Sequence, residues 1–162
     1  AFAAYDSCLQ WKDDNVMALN NYAYYLSEKG VDLHKAEAMS YKTIKAEPNN
    51  GTYLDTYAWI LFMEERYADA KTYIDQALKN RDSTADNSTV IEHAGDIYYM
   101  NGMADESVDF WNKAYTGENQ TEVLAWKIKN RQYITEEELK KRNAPKQKPA
   151  ATKKSVRKGK KK

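Results

Sequence analysis

The stretch 54–82, LDTYAWILFMEERYADAKTYIDQALKNRD, decides the fold. Leu54, Tyr57, Ala58 and Leu61 stand at i, i+3, i+4 and i+7, which places them on one face of an amphipathic helix. A polar Glu64-Glu65-Arg66 turn follows. Beyond it Tyr67, Ala70, Tyr73, Ile74, Ala77 and Leu78 return at helical spacing, so a second helix is predicted. A lone helix pair cannot cover two apolar stripes, and the question becomes what lies on either side.

The neighbours repeat the template. In the segment 19–48, Leu19, Tyr22, Ala23 and Leu26 lead, Gly30 sits in the turn, and Ala36, Thr43, Ile44 and Pro48 follow. In the segment 91–116, Ile91, Ala94, Gly95 and Tyr98 lead, Gly102 makes the turn, and Ser107, Trp111, Ala114 and Tyr115 close the unit. The period is near 34: Ala36 to Ala70 spans 34 residues, Ala23 to Ala58 spans 35 and Ala58 to Gly95 spans 37, the excess falling in the loop 81–86. Small residues recur where two helices cross closely, at Ala58 and Gly95 and at Ala70 and Ser107. Such a period marks a repeat array in which stacked units share one continuous core.

The pattern resembles the tetratricopeptide repeat. The bulky position is Leu19, Leu54 or Ile91, the Leu-Gly-like pair is Tyr22-Ala23, Tyr57-Ala58 or Ala94-Gly95, and the next position is Leu26, Leu61 or Tyr98. The turn proline is present at Pro48, while Asp82 takes its place in the second repeat. The resemblance covers about residues 1–118 and implies an all-α, right-handed superhelical stack of antiparallel helix pairs.

The expected organisation runs as follows. Residues 1–14 read as the second helix of a truncated repeat, with Tyr5, Cys8, Leu9 and Asp13 in register, so the chain is expected to be part of a longer array. Repeats occupy 15–50, 51–86 and 87–118. Residues 119–139 read as terminal capping helices. Thr121 to Tyr133 forms the first, with Val123, Leu124 and Ile128 inward and Lys127, Lys129, Asn130 and Arg131 on its polar side; Thr135-Glu136-Glu137-Glu138 opens the second with a capping box. Residues 140–162 read as a disordered basic tail, too poor in apolar groups to offset the entropy of ordering. Phe2 and Trp11 exceed what one neighbouring repeat can cover, so weak self-association through the N-terminal end is expected.

The formal net charge of +1 conceals a split. From Lys140 to Lys162 there are twelve Lys/Arg and no acid, which leaves 13 basic against 24 acidic residues in positions 1–139. The apolar run Trp59–Met63 falls far short of the roughly 20 residues that cross a bilayer, and mean hydropathy is -0.89. Cys8 is the one cysteine, read as an inert buried thiol, and His34 and His93 are the two histidines. That inventory builds neither a disulfide framework nor a Cys/His metal cage within one copy. Neither histidine has a sequence neighbour that assigns it a catalytic role, so both read as solvated or packing side chains. The six glycines do not cluster into a phosphate loop. No catalytic residue, metal or cofactor is expected. The compartment stays open between cytoplasm and, given an upstream signal, the cell envelope.

The resemblance implies that the leading helix of each pair lines a concave groove, on a stripe about 100° round from the core stripe. The groove candidates are Asn20 and Tyr24 in repeat one, Asp55, Trp59, Phe62 and Met63 in repeat two, and Glu92, Asp96 and Tyr99 in repeat three. This set is aromatic and acidic and points to a protein or peptide ligand, making the chain a non-catalytic interaction scaffold. Packing between neighbouring helices is the competing reading for Trp59 and Phe62. Family members that grip a terminal carboxylate use lysine and asparagine on these helices, and no lysine stands at the matching positions. The contrasting function is an adaptor that attaches to nucleic acid or an anionic lipid surface through the basic tail, by charge and without sequence preference.

Overall fold

The computed structural model describes residues 15–146, and all the regular structure among them is helical. The helices are α1 (Val16–Lys29), α2 (Leu33–Ala46), α3 (Gly51–Met63), α4 (Tyr67–Lys79), α5 (Ser88–Met100), α6 (Ala104–Ala114), α7 (Glu122–Asn130) and α8 (Glu136–Asn143). The expectations for residues 1–14, including the Cys8 thiol and self-association at Phe2 and Trp11, lie outside the described residues. Most of the basic tail does as well. Where the tail was expected to begin, α8 continues through Lys140 to Asn143. Its full capping box at Thr135 and Glu138 and its 2.7–2.9 Å ion pairs Glu136–Lys140 and Glu137–Lys141 suit the helix macrodipole and carry it past the acidic run.

The three pairs α1–α2, α3–α4 and α5–α6 turn in the same way. In each, the turn residue donates its N–H three residues back and the next residue donates five back: Gly30 to Ser27 with Val31 to Leu26, Glu65 to Phe62 with Arg66 to Leu61, and Gly102 to Tyr99 with Met103 to Tyr98. This is the Schellman closure, which needs a left-handed residue at its corner. Gly30 (φ 65) and Gly102 (φ 77) supply it freely, whereas Glu65 (φ 62) adopts it at a cost on the order of 1 kcal/mol. Identical backbone chemistry at the period seen in the sequence makes the three pairs structural repeats.

From α1 to α7 each helix packs on the next, and the leading helix α3 also touches both α1 and α5. The stripes named from the sequence are where the core is: Leu19, Tyr22, Ala23, Leu26, Leu54, Tyr57, Ala58, Leu61, Ala70, Ile74, Ala77 and Ala94 are all buried. Two assignments change. Tyr115 lies past the end of α6 and is exposed, and Ile97 is fully buried where Tyr98 was expected to be the inward residue. Tyr98 is half-buried because its hydroxyl reaches across to Asp75 Oδ1 at 2.6 Å, satisfying a group that a fully apolar position would strand. No helix among the described residues is long and apolar enough to cross a membrane.

Candidate functional site

Because α3 lies beside both α1 and α5, residues at equivalent positions of successive repeats share one surface, which α7 joins through Lys127. A cavity of about 480 Å³ opens there. It is lined by Tyr24 and Glu28 from α1, Trp59 and Met63 from α3, Glu92, His93 and Asp96 from α5, Lys127 from α7, and Tyr133 and Glu136 beyond it. Tyr24 also borders a second, more polar cavity of about 600 Å³. Asn20, Asn21, Asn49, Asn50, Asp55, Asn80 and Asn87 contribute to its walls.

Two buried ion pairs organise the wall. His93 Nδ1 lies 2.8 Å from Asp55 Oδ1, and the imidazole stacks on the Trp59 indole at 4.0 Å and 15°. Lys127 Nζ donates to Asp96 Oδ1 at 2.7 Å and to Glu92 Oε1 at 2.9 Å, while Trp111 Nε1 donates to Asp96 Oδ1 at 2.9 Å. Burial opposes a charge on His93, but Asp55, with Asp96 and Glu92 behind it, outweighs burial and raises its pKa above the ordinary histidine value. Lys127 is likewise held protonated by Asp96 and Glu92 against burial. Burial, and behind it the Glu92 charge, pushes the Asp96 carboxyl up against the opposing pull of Lys127; with an ammonium and an indole N–H both donating to it, the ionised form is the one this geometry serves.

Comparison with known proteins agrees with this architecture. No family model matches the chain. A TPR repeat-containing protein of Pseudomonas aeruginosa is 35% identical over 66 residues, which is 41% of this chain but 11% of that protein. The first TPR domain of human RPAP3 superposes with a TM-score of 0.61 at 13% identity, over 72% of this chain and 88% of that domain. The N-terminal domain of stress-induced protein-1 from C. elegans gives 0.56 at 20% identity, over 73% and 94%. A TPR2AB domain of yeast Sti1, determined in complex with pHSP90, gives 0.57 at 19% identity, over 81% of this chain and 50% of that one. The fold is that of a tetratricopeptide-repeat array.

Within this tetratricopeptide array the nine groove candidates separate. Tyr24, Trp59, Met63, Glu92 and Asp96 line the smaller cavity, and Asn20 and Asp55 line the polar one. Phe62 does not belong to the groove wall: it is buried, packs edge-on against Tyr67 and Tyr133, and stacks beneath Trp59 at 4.6 Å. Tyr99 packs on Trp111 in the cluster of Val108, Ala114 and Leu124, because α6 and α7 cover that side of α5. Asp96 is nearly buried and engaged by Lys127, so it braces the wall more than it presents charge.

Several lining residues were not among the candidates, and His93, Lys127 and Tyr133 are those that shape the smaller cavity's buried wall. Lys127 was expected on the polar side of its helix, yet it is buried, because Glu92 and Asp96 sit on the facing helix and draw it in. The signal was the tetratricopeptide period itself. Asp55 to His93 is 38 residues and Glu92 to Lys127 is 35, so each pair joins neighbouring leading helices at matched height.

The His93–Asp55 pair carries a pH signature. A histidine whose folded pKa is raised contributes stability that is complete below its unfolded pKa of about 6.5 and is lost as pH rises through the folded value. Thermal melts should therefore show the midpoint of the parent chain falling above about pH 6.5, and that part of the fall should vanish in His93→Gln. Equal pH profiles for the two chains would mean that His93 is neutral in the fold.

Proposed function

We propose that this concave surface is a docking groove for a protein or peptide segment, making the chain a non-catalytic interaction scaffold. The observation that carries the reading is the continuity of the two cavities across Tyr24: an asparagine-rich cleft runs into an aromatic floor rimmed with carboxylates. Primary amides offer both a donor and an acceptor, the complement of a peptide backbone. Asn20 Oδ1 is buried without a hydrogen-bond partner, an arrangement that costs free energy until something donates to it.

Charge sets the partner class. Glu28, Asp55, Glu92, Asp96 and Glu136 line the groove against His93 and Lys127, so acids outnumber cations. A segment with an apolar anchor over Trp59 and Met63 and flanking lysine or arginine fits this wall; a terminal carboxylate does not, since Lys127 is already committed to Asp96 and Glu92. Selection of binders from a random peptide display library, followed by titration, tests this. Trp59→Ala should weaken the selected peptide by about 1.5 to 3 kcal/mol, the value of one anchoring aromatic, with the helical signal retained. Acidic consensus peptides, or binding indifferent to Trp59→Ala, would overturn the reading.

The alternative, attachment to nucleic acid or anionic membrane through the tail, rests on the charge of residues 140–162. It separates by salt: phosphate binding falls steeply with ionic strength, an apolar anchor far less. Removing residues 147–162 would abolish the first and leave the second.

A further inference from the structure

On residues apart from the groove, we infer that His34, Glu37 and Glu64 form a binding site for a divalent transition-metal ion of the zinc class. His34 stands in the first turn of α2 and Glu37 three residues further on, which puts both on one face. Glu64 caps the C-terminus of α3. Packing of α2 against α3 brings one ligand atom from each within 4.8 Å of the other two, at the edge of a cavity that also holds Gly30, Asp32 and Arg66.

The arrangement is unfinished as it stands. The Glu64 side chain is only 10% exposed, and its Oε1 is buried with no hydrogen-bond partner. A buried carboxylate oxygen without a donor is costly and rare. Arg66 answers part of the charge, with Nη1 at 2.7 Å from Glu37 Oε1 but 3.5 Å from Glu64 Oε2, while its Nη2 is taken by Asp69 at 3.2 Å. One guanidinium thus faces three carboxylates. Lys35 also lines this cavity, and its Nζ reaches Tyr22 Oη at 3.2 Å.

A dication supplies what is missing. One imidazole and two carboxylates suit zinc and its first-row neighbours, with the fourth position left to water. Bonds of about 2.0 to 2.2 Å require the three ligand atoms to close in by on the order of 1 Å, which the exposed His34 ring can do by rotating. The bound ion would tie the first turn of α2 to the end of α3 and so lock repeat one onto repeat two.

Calorimetric titration of the tag-free, chelator-treated full chain with zinc chloride, paired with thermal melts, tests the assignment. One equivalent should bind and raise the melting midpoint. His34→Ala and Glu64→Gln should each weaken binding by about tenfold or more and remove the zinc-dependent rise. Glu64→Gln should also raise the metal-free midpoint, because it removes a buried charge, and that separates loss of a ligand from loss of fold. Cys8→Ser should change nothing. No binding at zinc up to about 1 mM, binding that survives both variants, or binding that disappears with Cys8→Ser would each overturn the inference.

Discussion

Lys127→Met should destabilise the array by about 3 to 5 kcal/mol, the usual cost of stripping a buried carboxylate of its counter-ion. Methionine is unbranched and close in length to the lysine stem, so the change opens little cavity and the loss is electrostatic. Lys127 is 3% exposed and Asp96 5%, and the ammonium satisfies Asp96 and Glu92 together. Without it Asp96 keeps the Trp111 indole N–H as a neutral donor and must bear its charge in a dry site or take up a proton. Urea unfolding should therefore show a deficit that shrinks as pH falls. The folded-state pKa of an orphaned Asp96 lies above its unfolded value, so relative stability is best below about pH 4 and declines as pH rises through the folded pKa. Adding Asp96→Asn to Lys127→Met should return much of the loss, since it replaces the stranded charge by a neutral amide. A single-variant deficit under about 1 kcal/mol would show that water reaches Asp96 readily.

Gly95→Ala is expected to cost about 3 kcal/mol or more, at the upper end of overpacking penalties, despite the roughly 1 kcal/mol that alanine gains over glycine within a helix. A Cβ at residue 95 would stand 2.5 Å from Trp111 Nε1 and closer still to Cδ1, separations that no pair of carbon and ring atoms tolerates. Trp111 has nowhere to go. It is fully buried, its indole nitrogen is bound to Asp96 at 2.9 Å, and Tyr99 packs against it. The ring must tilt and lose that hydrogen bond, or α5 and α6 must separate. Chemical unfolding together with the near-ultraviolet signal of the tryptophans distinguishes these, and Gly95→Ala should cost far less in a Trp111→Ala background, where the clashing ring atoms are gone. A neutral or stabilising Gly95→Ala would mean that helix propensity wins and that the contact of α5 with α6 is loose.

Gly95 shows how far the sequence reached. Its place beside Ala94 at the period of Ala58 marked it as a close crossing, because a missing side chain in an amphipathic stripe is a local and periodic signal. The helix pairs, their turns and most core positions follow from the same signal, since i, i+3 and i+4 spacing reports which face of a helix is apolar whatever lies opposite. Glu65 shows where the signal stops at the backbone: it takes the left-handed corner that Gly30 and Gly102 occupy, and its residue type does not announce it.

The site divides along the same line. That Tyr24, Trp59, Met63 and Glu92 share a surface follows from matching positions in consecutive repeats. That Phe62 is core, that Tyr99 faces Trp111 and that Lys127 is buried depends on how far each helix is rotated about its axis, and sequence spacing leaves that angle open by the width of one side chain. The sequence also limited cysteine and histidine ligands to one and two, which excludes a Cys/His cage, whereas α2 and α3 bring His34 within reach of Glu37 and of a glutamate 30 residues away. A carboxylate is solvated on most helices, and only the tertiary fold decides which one loses its water and gains a neighbour of the same sign. Hydrophobic periodicity is written along one chain segment and can be read there; charge pairing between segments depends on distances across helices, which exist only once those helices have packed.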